Sequence, residues 1–150
     1  MIDIPLQEMQ AKIQTTREGR QTLIFDIIRK KYIVLLPEEL VRQMLLIYLT
    51  EYAHYPSSRI KVEKGVIQQE KKGRYDIIIY DKQVKPWMLI ECKSHKVNIT
   101  QATIDQLSGY NHEIKAPYFM VCNGIHTYCY VTNEEQKKYV LLEELPIFPG

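Results

Sequence analysis

Cysteine, long apolar runs and a strong excess of charge of one sign are all scarce in this 150-residue chain. The three cysteines, Cys92, Cys122 and Cys129, are odd in number and show no Cys-x-x-Cys spacing. That argues against both a disulfide framework and a structural zinc site, and predicts reduced thiols. His54, His95, His112 and His126 also lack metal-ligand spacing, and His95 reads as a surface residue. No apolar run approaches the roughly 20 residues of a membrane span. Met1-Ile2-Asp3-Ile4-Pro5 lacks the basic start and apolar core of a signal peptide. These absences predict a cytoplasmic protein with no membrane partner. A formal net charge of +2 creates no global field that compels nucleic-acid binding, although it is compatible with a local basic patch. Internal repeats and linkers are missing too, so the expectation is one domain over residues 1–150 with its core over about residues 23–142. What is present is an ordinary globular composition, 45% hydrophobic and 25% charged.

Within it the stretch Trp87-Met88-Leu89-Ile90-Glu91-Cys92-Lys93 stands apart. It begins as a buried strand and ends in an acid and a base. Side chains alternate along a strand, so Glu91 and Lys93 project to one side and Cys92 to the other. A second apolar strand, Ile77-Ile78-Ile79-Tyr80, follows Asp76, and a polar segment with Pro86 joins the two. Folding back about Gln83 and Val84 brings Asp76 beside Glu91. The unbroken apolar character of both strands predicts cover on both faces.

Around this pair the elements read as follows. Residues 1–19 are polar with scattered apolar positions and have no assigned role. Residues 23–36 are expected to form one or two strands around Arg29-Lys30-Lys31, a triplet that is either a phosphate contact or a solvated turn. Pro37-Glu38-Glu39 opens a helix to about residue 52, with Val41, Met44, Leu45 and Tyr48 as its buried stripe. Glu38, Glu39, Arg42 and Gln43 lie off that stripe, in solvent or lining a cleft. A strand is expected over residues 59–66 and a polar turn over residues 68–73. Thr100 is placed to cap a helix over residues 101–111, which carries Gln106 and Tyr110 on one face, a pair that by itself reads as packing on the sheet. Strands are expected over residues 116–122 and 125–131 about Asn123-Gly124, then a polar loop over residues 134–138 and a short strand over 139–142. The fold class is therefore α/β or α+β, a central mixed β-sheet flanked by helices. Trp87 and the tyrosines at strand positions read as core, with base stacking as the alternative.

An acid two residues before a lysine is common: Glu70/Lys72, Glu113/Lys115 and Glu135/Lys137 repeat the spacing. Those copies lie in polar turns or at helix ends and need only solvation. Glu91/Lys93 alone ends an apolar strand with an aspartate converging on it. Hard divalent cations take oxygen ligands, and Asp76, Glu91 and the backbone carbonyl of Cys92 offer them. A cation held there polarises a phosphoryl oxygen, and Lys93 orients water or stabilises developing charge. Hydrolysis of a phosphodiester with Mg2+ or Mn2+ is the reaction this chemistry suits. Cys92 as a nucleophile is the competing use of that residue, but its facing suggests a core thiol.

These pieces together resemble the PD-(D/E)xK nuclease superfamily. More closely, they resemble the N-terminal domain family of type I restriction enzyme R subunits, in its small stand-alone form. The residues that carry the likeness are Pro37-Glu38-Glu39-Leu40-Val41-Arg42-Gln43, Arg74-Tyr75-Asp76-Ile77, Leu89-Ile90-Glu91-Cys92-Lys93, Gln106 with Tyr110-Asn111, and Asn123-Gly124. The resemblance implies a restriction-endonuclease-like core, metal ligation by Asp76 and Glu91, and Lys93 as base or water-positioning residue. It implies a helix acid at the site, Glu39 first and Glu38 next. It also matches Gln106 and Tyr110 to a Gln-x-x-x-Tyr helix motif linked to nucleic acid. Arg42, Arg29 and Lys30 complete the candidate nucleic-acid contacts, with DNA the expected partner, RNA left open, and a homodimer or partner protein as a way to enlarge the grip. Tyr75 stands where the superfamily has its nominal proline. The translocation motor of R subunits has no counterpart in the sequence, so ATP-dependent movement is not expected. The alternative function is a catalytically silent nucleic-acid-binding or protein-interaction module of the same fold.

Overall fold

The computed structural model describes residues 1–63, 75–133, 135 and 137–150. Lys64, the turn expected over residues 68–73, the Glu70/Lys72 pair, Arg74, Glu134 and Gln136 lie outside the described residues. The main sheet has six strands in sequence order: β4 (Ile60–Val62), β5 (Ile77–Tyr80), β6 (Pro86–Cys92), β7 (Tyr118–Cys122), β8 (Thr127–Asn133) and β9 (Lys138–Leu141). Every neighbour is antiparallel except β6 and β7. A parallel pair needs a crossover, and the helix α2 (Gln101–Ile114) supplies it. Thr100 caps α2 by accepting from the Thr103 amide at 3.3 Å.

Alternation along the strands divides two apolar clusters. Ile77, Ile79, Met88, Ile90, Cys92, Met120 and Cys122 belong to one, with the helix α1 (Pro37–Ile47). Ile78, Leu89, Phe119 and Val121 belong to the other, with Ile104 and Leu107 of α2. The central strands are thus covered on both faces, which is why they carry no alternating polar residues. The fold is α+β with a mixed sheet, as expected. Between β5 and β6 the chain turns where the sequence indicated: the Asp81 carboxylate accepts from the amides of Gln83 and Lys85, both at 2.9 Å. Trp87 is core: its ring meets Tyr55, Tyr118 and Phe148 at centroid distances of 5.4, 5.2 and 5.3 Å.

Residues 1–19, which have no assigned role in the sequence reading, form a 3-10 helix, Leu6–Lys12, and β1 (Thr15–Glu18), which joins β2 (Gln21–Asp26) and β3 (Lys31–Val34) in an antiparallel sheet. The strands expected over residues 23–36 are β2 and β3. The 3-10 helix buries Leu6 and Met9 against the α1 side of the core. This changes the expected character of α1. Of the expected stripe, Val41, Met44 and Leu45 are buried and Tyr48 is half-buried, but Gln43, Leu46, Ile47 and Leu49 are buried as well, so the helix is wrapped rather than half-solvated. Its α-type bonding ends at Ile47 and a π-helical turn, Tyr48–Tyr52, carries the chain on to the expected end. The strand expected over residues 59–66 keeps its alternation in β4, with Ile60 and Val62 buried and Lys61 exposed. Among the described residues no helix is long and apolar enough to cross a membrane.

If the 3-10 helix is integral to this core, Leu6→Ala and Met9→Ala should each cost about 2–4 kcal/mol of unfolding free energy in urea titrations. A loss within the ~0.5 kcal/mol of ordinary surface changes would show that the segment contributes no core.

Candidate active site

The register Ile77 opposite Ile90 decides where the acids go. The next residues outward, Asp76 and Glu91, come side by side where β5 begins and β6 ends. The Asp76 amide donates to the Ile90 carbonyl at 2.9 Å, and the Asp76 Oδ2 accepts the Cys92 amide, so a side chain completes the ladder where β5's backbone stops. Asp76 is fully buried and Glu91 is 5% exposed. Beyond them the Lys93 amide donates to the Cys122 carbonyl at 2.8 Å, which extends the pairing with β7. The Lys93 Nζ lies 3.1 Å from Glu91 Oε1, on the shared side that strand alternation requires.

The first turn of α1 closes over this strand end. Glu38, Asp76 and Glu91 each offer a carboxylate oxygen, all within 4.8 Å of one another, and form an acidic group that could hold a metal ion. Glu39, expected first as the helix acid, is otherwise engaged. Its Oε2 accepts from Arg42 Nη1, and its Oε1 accepts from Gln43 Nε2 at 3.2 Å. Neighbouring helical positions point about 100° apart, so only one of two adjacent acids can face the strand end. Arg42 Nη2 spans Asp76 Oδ1 at 3.1 Å and Glu38 Oε1 at 3.3 Å. Arg42 is 3% exposed, so the guanidinium addresses carboxylates rather than the surface. Burial opposes its charge, but the carboxylates of Asp76 and Glu39 outweigh burial and hold Arg42 above its ordinary range.

A second set of polar residues backs the first, in which Gln43 and Asp26 carry no site role in the sequence reading and Arg29 was expected as a nucleic-acid contact. Gln43 Oε1 accepts the Ile27 amide at 3.1 Å, which joins α1 to the β2–β3 turn. Inside that turn the buried Asp26 accepts from the amides of Ile28 and Arg29 at 2.9 and 3.0 Å and from Arg29 Nε at 2.7 Å. The signal for Gln43 was its i,i+4 spacing from Glu39, and for Asp26 its place just before a turn. The basic triplet is therefore divided: Arg29 pairs with Asp26, while Lys30 and Lys31 are exposed.

Gln106 and Tyr110 share a face of α2, with Gln106 Nε2 donating to Tyr110 Oη at 3.1 Å. Tyr110 and Tyr75 both pack on the α2-side cluster. Asn123-Gly124 has a structural reason: Asn123 Oδ1 accepts the amides of Ile125 and His126 at 3.0 and 2.8 Å, and its Nδ2 donates to the Val97 carbonyl at 2.8 Å. Gly124 sits at φ +88°, and a Cβ there would meet Val41 Cγ2 at 3.2 Å, so the loop after β7 packs closely on α1. Cys92, Cys122 and Cys129 are free and buried. Burial, reinforced by Asp76, pushes the Cys92 thiol well above its ordinary range, which leaves no accessible thiolate for nucleophilic attack. His95 is exposed, and so are both members of the Glu113/Lys115 and Glu135/Lys137 copies.

Fold and site together define an α+β protein whose two central strands end in paired carboxylates and a lysine, under a helix that adds a further acid. Residues 37–146 match the family model described as Type I restriction enzyme R protein N terminus (HSDR_N), and the chain belongs to this nuclease-related family. No curated protein matches the chain. The matched stretch contains Glu38, Arg42, Asp76, Glu91, Lys93, Gln106 and Tyr110, whereas the 3-10 helix and β1–β3 precede it.

The Asp26 turn yields a pH dependence. Burial by itself raises the Asp26 pKa, but the Arg29 and Ile28 amides and the Arg29 guanidinium reverse this and hold it below its ordinary value. Its contribution is therefore complete above the unfolded pKa of about 4 and is lost as pH falls through the lower folded value. The difference in unfolding free energy between the native protein and Asp26→Asn should be constant near neutrality and shrink below about pH 4. A difference that does not change with pH would remove the charge of Asp26 as its cause.

Proposed function

We propose that the protein is a metal-dependent nuclease that hydrolyses DNA phosphodiester bonds, working as a single restriction-endonuclease-like domain. The observation that carries this reading is the convergence of Asp76, Glu91 and Lys93 at one strand end, with a Glu38 oxygen within 4.8 Å of those of Asp76 and Glu91, in a chain of a nuclease-related family. Glu38, Asp76 and Glu91 would hold Mg2+ or Mn2+, hard cations that take oxygen ligands. Glu38 replaces Glu39 in this role because a Glu38 oxygen lies within 4.8 Å of oxygens of Asp76 and Glu91, while Glu39 is turned to Arg42 and Gln43 on α1. A strand residue's amide and carbonyl point the same way, so the Cys92 carbonyl lies on the side of Asp76 and is a further candidate ligand. When bound, the cation supplies polarisation of a phosphoryl oxygen and acidification of water. Lys93 is anchored by Glu91 yet its side chain is 30% exposed, so its tip can address an attacking water from the solvent side. Attack forms one phosphorus–oxygen bond and breaks another, releasing the sugar oxygen. Gln106 and Tyr110 on α2, with Lys30 and Arg29 at the β2–β3 turn, are the residues proposed to contact the nucleic acid. Arg42, enclosed by carboxylates, is assigned to the metal side of the site instead.

Purified protein should nick plasmid or cut single-stranded DNA when Mn2+ is added. Glu91→Ala and Lys93→Met should each lower that rate by about 100-fold or more without unfolding the protein. Cleavage that persists unchanged in Glu91→Ala belongs to a contaminant or another site and would sink the assignment. DNA binding without turnover by the native protein, surviving loss of Asp76, Glu91 and Lys93, would point instead to a silent binding module.

A further inference from the structure

The acidic group at the strand end already has a cation of its own. Among the described residues Arg42 pairs with Glu38, Glu39 and Asp76, and Lys93 pairs with Glu91. Carboxylate oxygens are the natural ligands of a hard divalent ion, which would bring two positive charges to this cluster. Arg42, however, holds two of the three carboxylates that could take the ion, Asp76 and Glu38, through the single atom Nη2. Two cations sharing those carboxylates repel, and in surroundings of low dielectric the repulsion is strong.

We infer that Arg42 is a resident counter-cation that competes with the divalent ion, so that ion binding loosens its hold on Asp76 and Glu38 and the arginine sets the affinity of the site. This rests on the reading of Glu38, Asp76 and Glu91 as metal-holding residues. Two features make Arg42 displaceable. Its bonds to Asp76 and Glu38 are 3.1 and 3.3 Å, long for charge-assisted contacts, which run to about 2.9 Å. Its Nε donates to nothing among the described residues, so carboxylates alone hold the guanidinium. The planar fork reaches three acids at once, a span that a lysine cannot reproduce. Arg42 is therefore a positioning residue: it keeps the acids together when the ion is away and yields when the ion arrives.

The test uses Mn2+ alone, without DNA, on the full chain. By calorimetry and thermal melting, Arg42→Gln should melt at a lower temperature than the native protein without the ion. It should bind Mn2+ on the order of 10-fold more tightly, with a larger ion-induced rise in Tm. A folded Arg42→Gln that binds Mn2+ equally or less tightly would overturn the inference. Should Arg42→Gln fail to fold, the native protein carries the test by NMR with Mg2+. The Arg42 Nε–H signal, assigned by its absence in Arg42→Lys, should shift with the binding midpoint, and a signal that stays fixed while Mg2+ binds would overturn it. Asp76→Asn separates the two levels of the reading. Ion binding lost in Asp76→Asn but indifferent to Arg42 defeats the counter-cation role alone. Absence of ion binding in both the native protein and Arg42→Gln defeats the metal site and this inference together.

Discussion

A strand that ends early leaves its neighbour with an unsatisfied amide, and here the carboxylate of Asp76 takes it. That bond to the Cys92 amide caps the β5–β6 ladder and fixes Asp76 next to Glu91. The remaining geometry follows from it. A slip of one residue would exchange the two faces of β6, sending Glu91 and Lys93 toward the side where Ile90 and Cys92 now meet α1. The hydrophobic surfaces on both sides of the sheet forbid that slip, so core packing enforces the position of the polar cluster.

The cluster is tolerable in a buried place because its members are linked. From the β2–β3 turn, Ile27 bonds to Gln43, Gln43 to Glu39, Glu39 to Arg42, and Arg42 to Asp76. Buried polar groups persist when they are satisfied in this way, and a partly broken network costs more than an apolar one. The chain of bonds also ties the N-terminal sheet, which precedes the family match, to the strand end that the match contains. Residues 1–36 thus act on the site through α1: the 3-10 helix covers the helix's apolar side while the turn supports its polar side.

Much of this was legible in the residues. Apolar runs at 77–80 and 87–90 predicted the central strands, Pro37 and Thr100 marked the helix starts, and the polar ending of β6 distinguished Glu91/Lys93 from exposed copies of the same spacing. Residues 1–19 were not legible, because Leu6 and Met9 look like scattered apolar positions until a partner surface exists. The burial of Arg42 and Gln43 was also hidden. A polar residue off the apolar stripe of a helix reads as solvated unless the chain that covers it is known.

By itself the sequence determined the main elements beyond residue 19, their order and which strand ends carry charge, since these depend on local periodicity and on residues a few positions apart. The tertiary structure decided which helix acid meets Asp76 and Glu91, and that Arg42 faces inward to hold them. Those outcomes turn on about 100° of helix rotation and on cover supplied by distant segments. No local pattern encodes either one, because both are set by how separate surfaces pack.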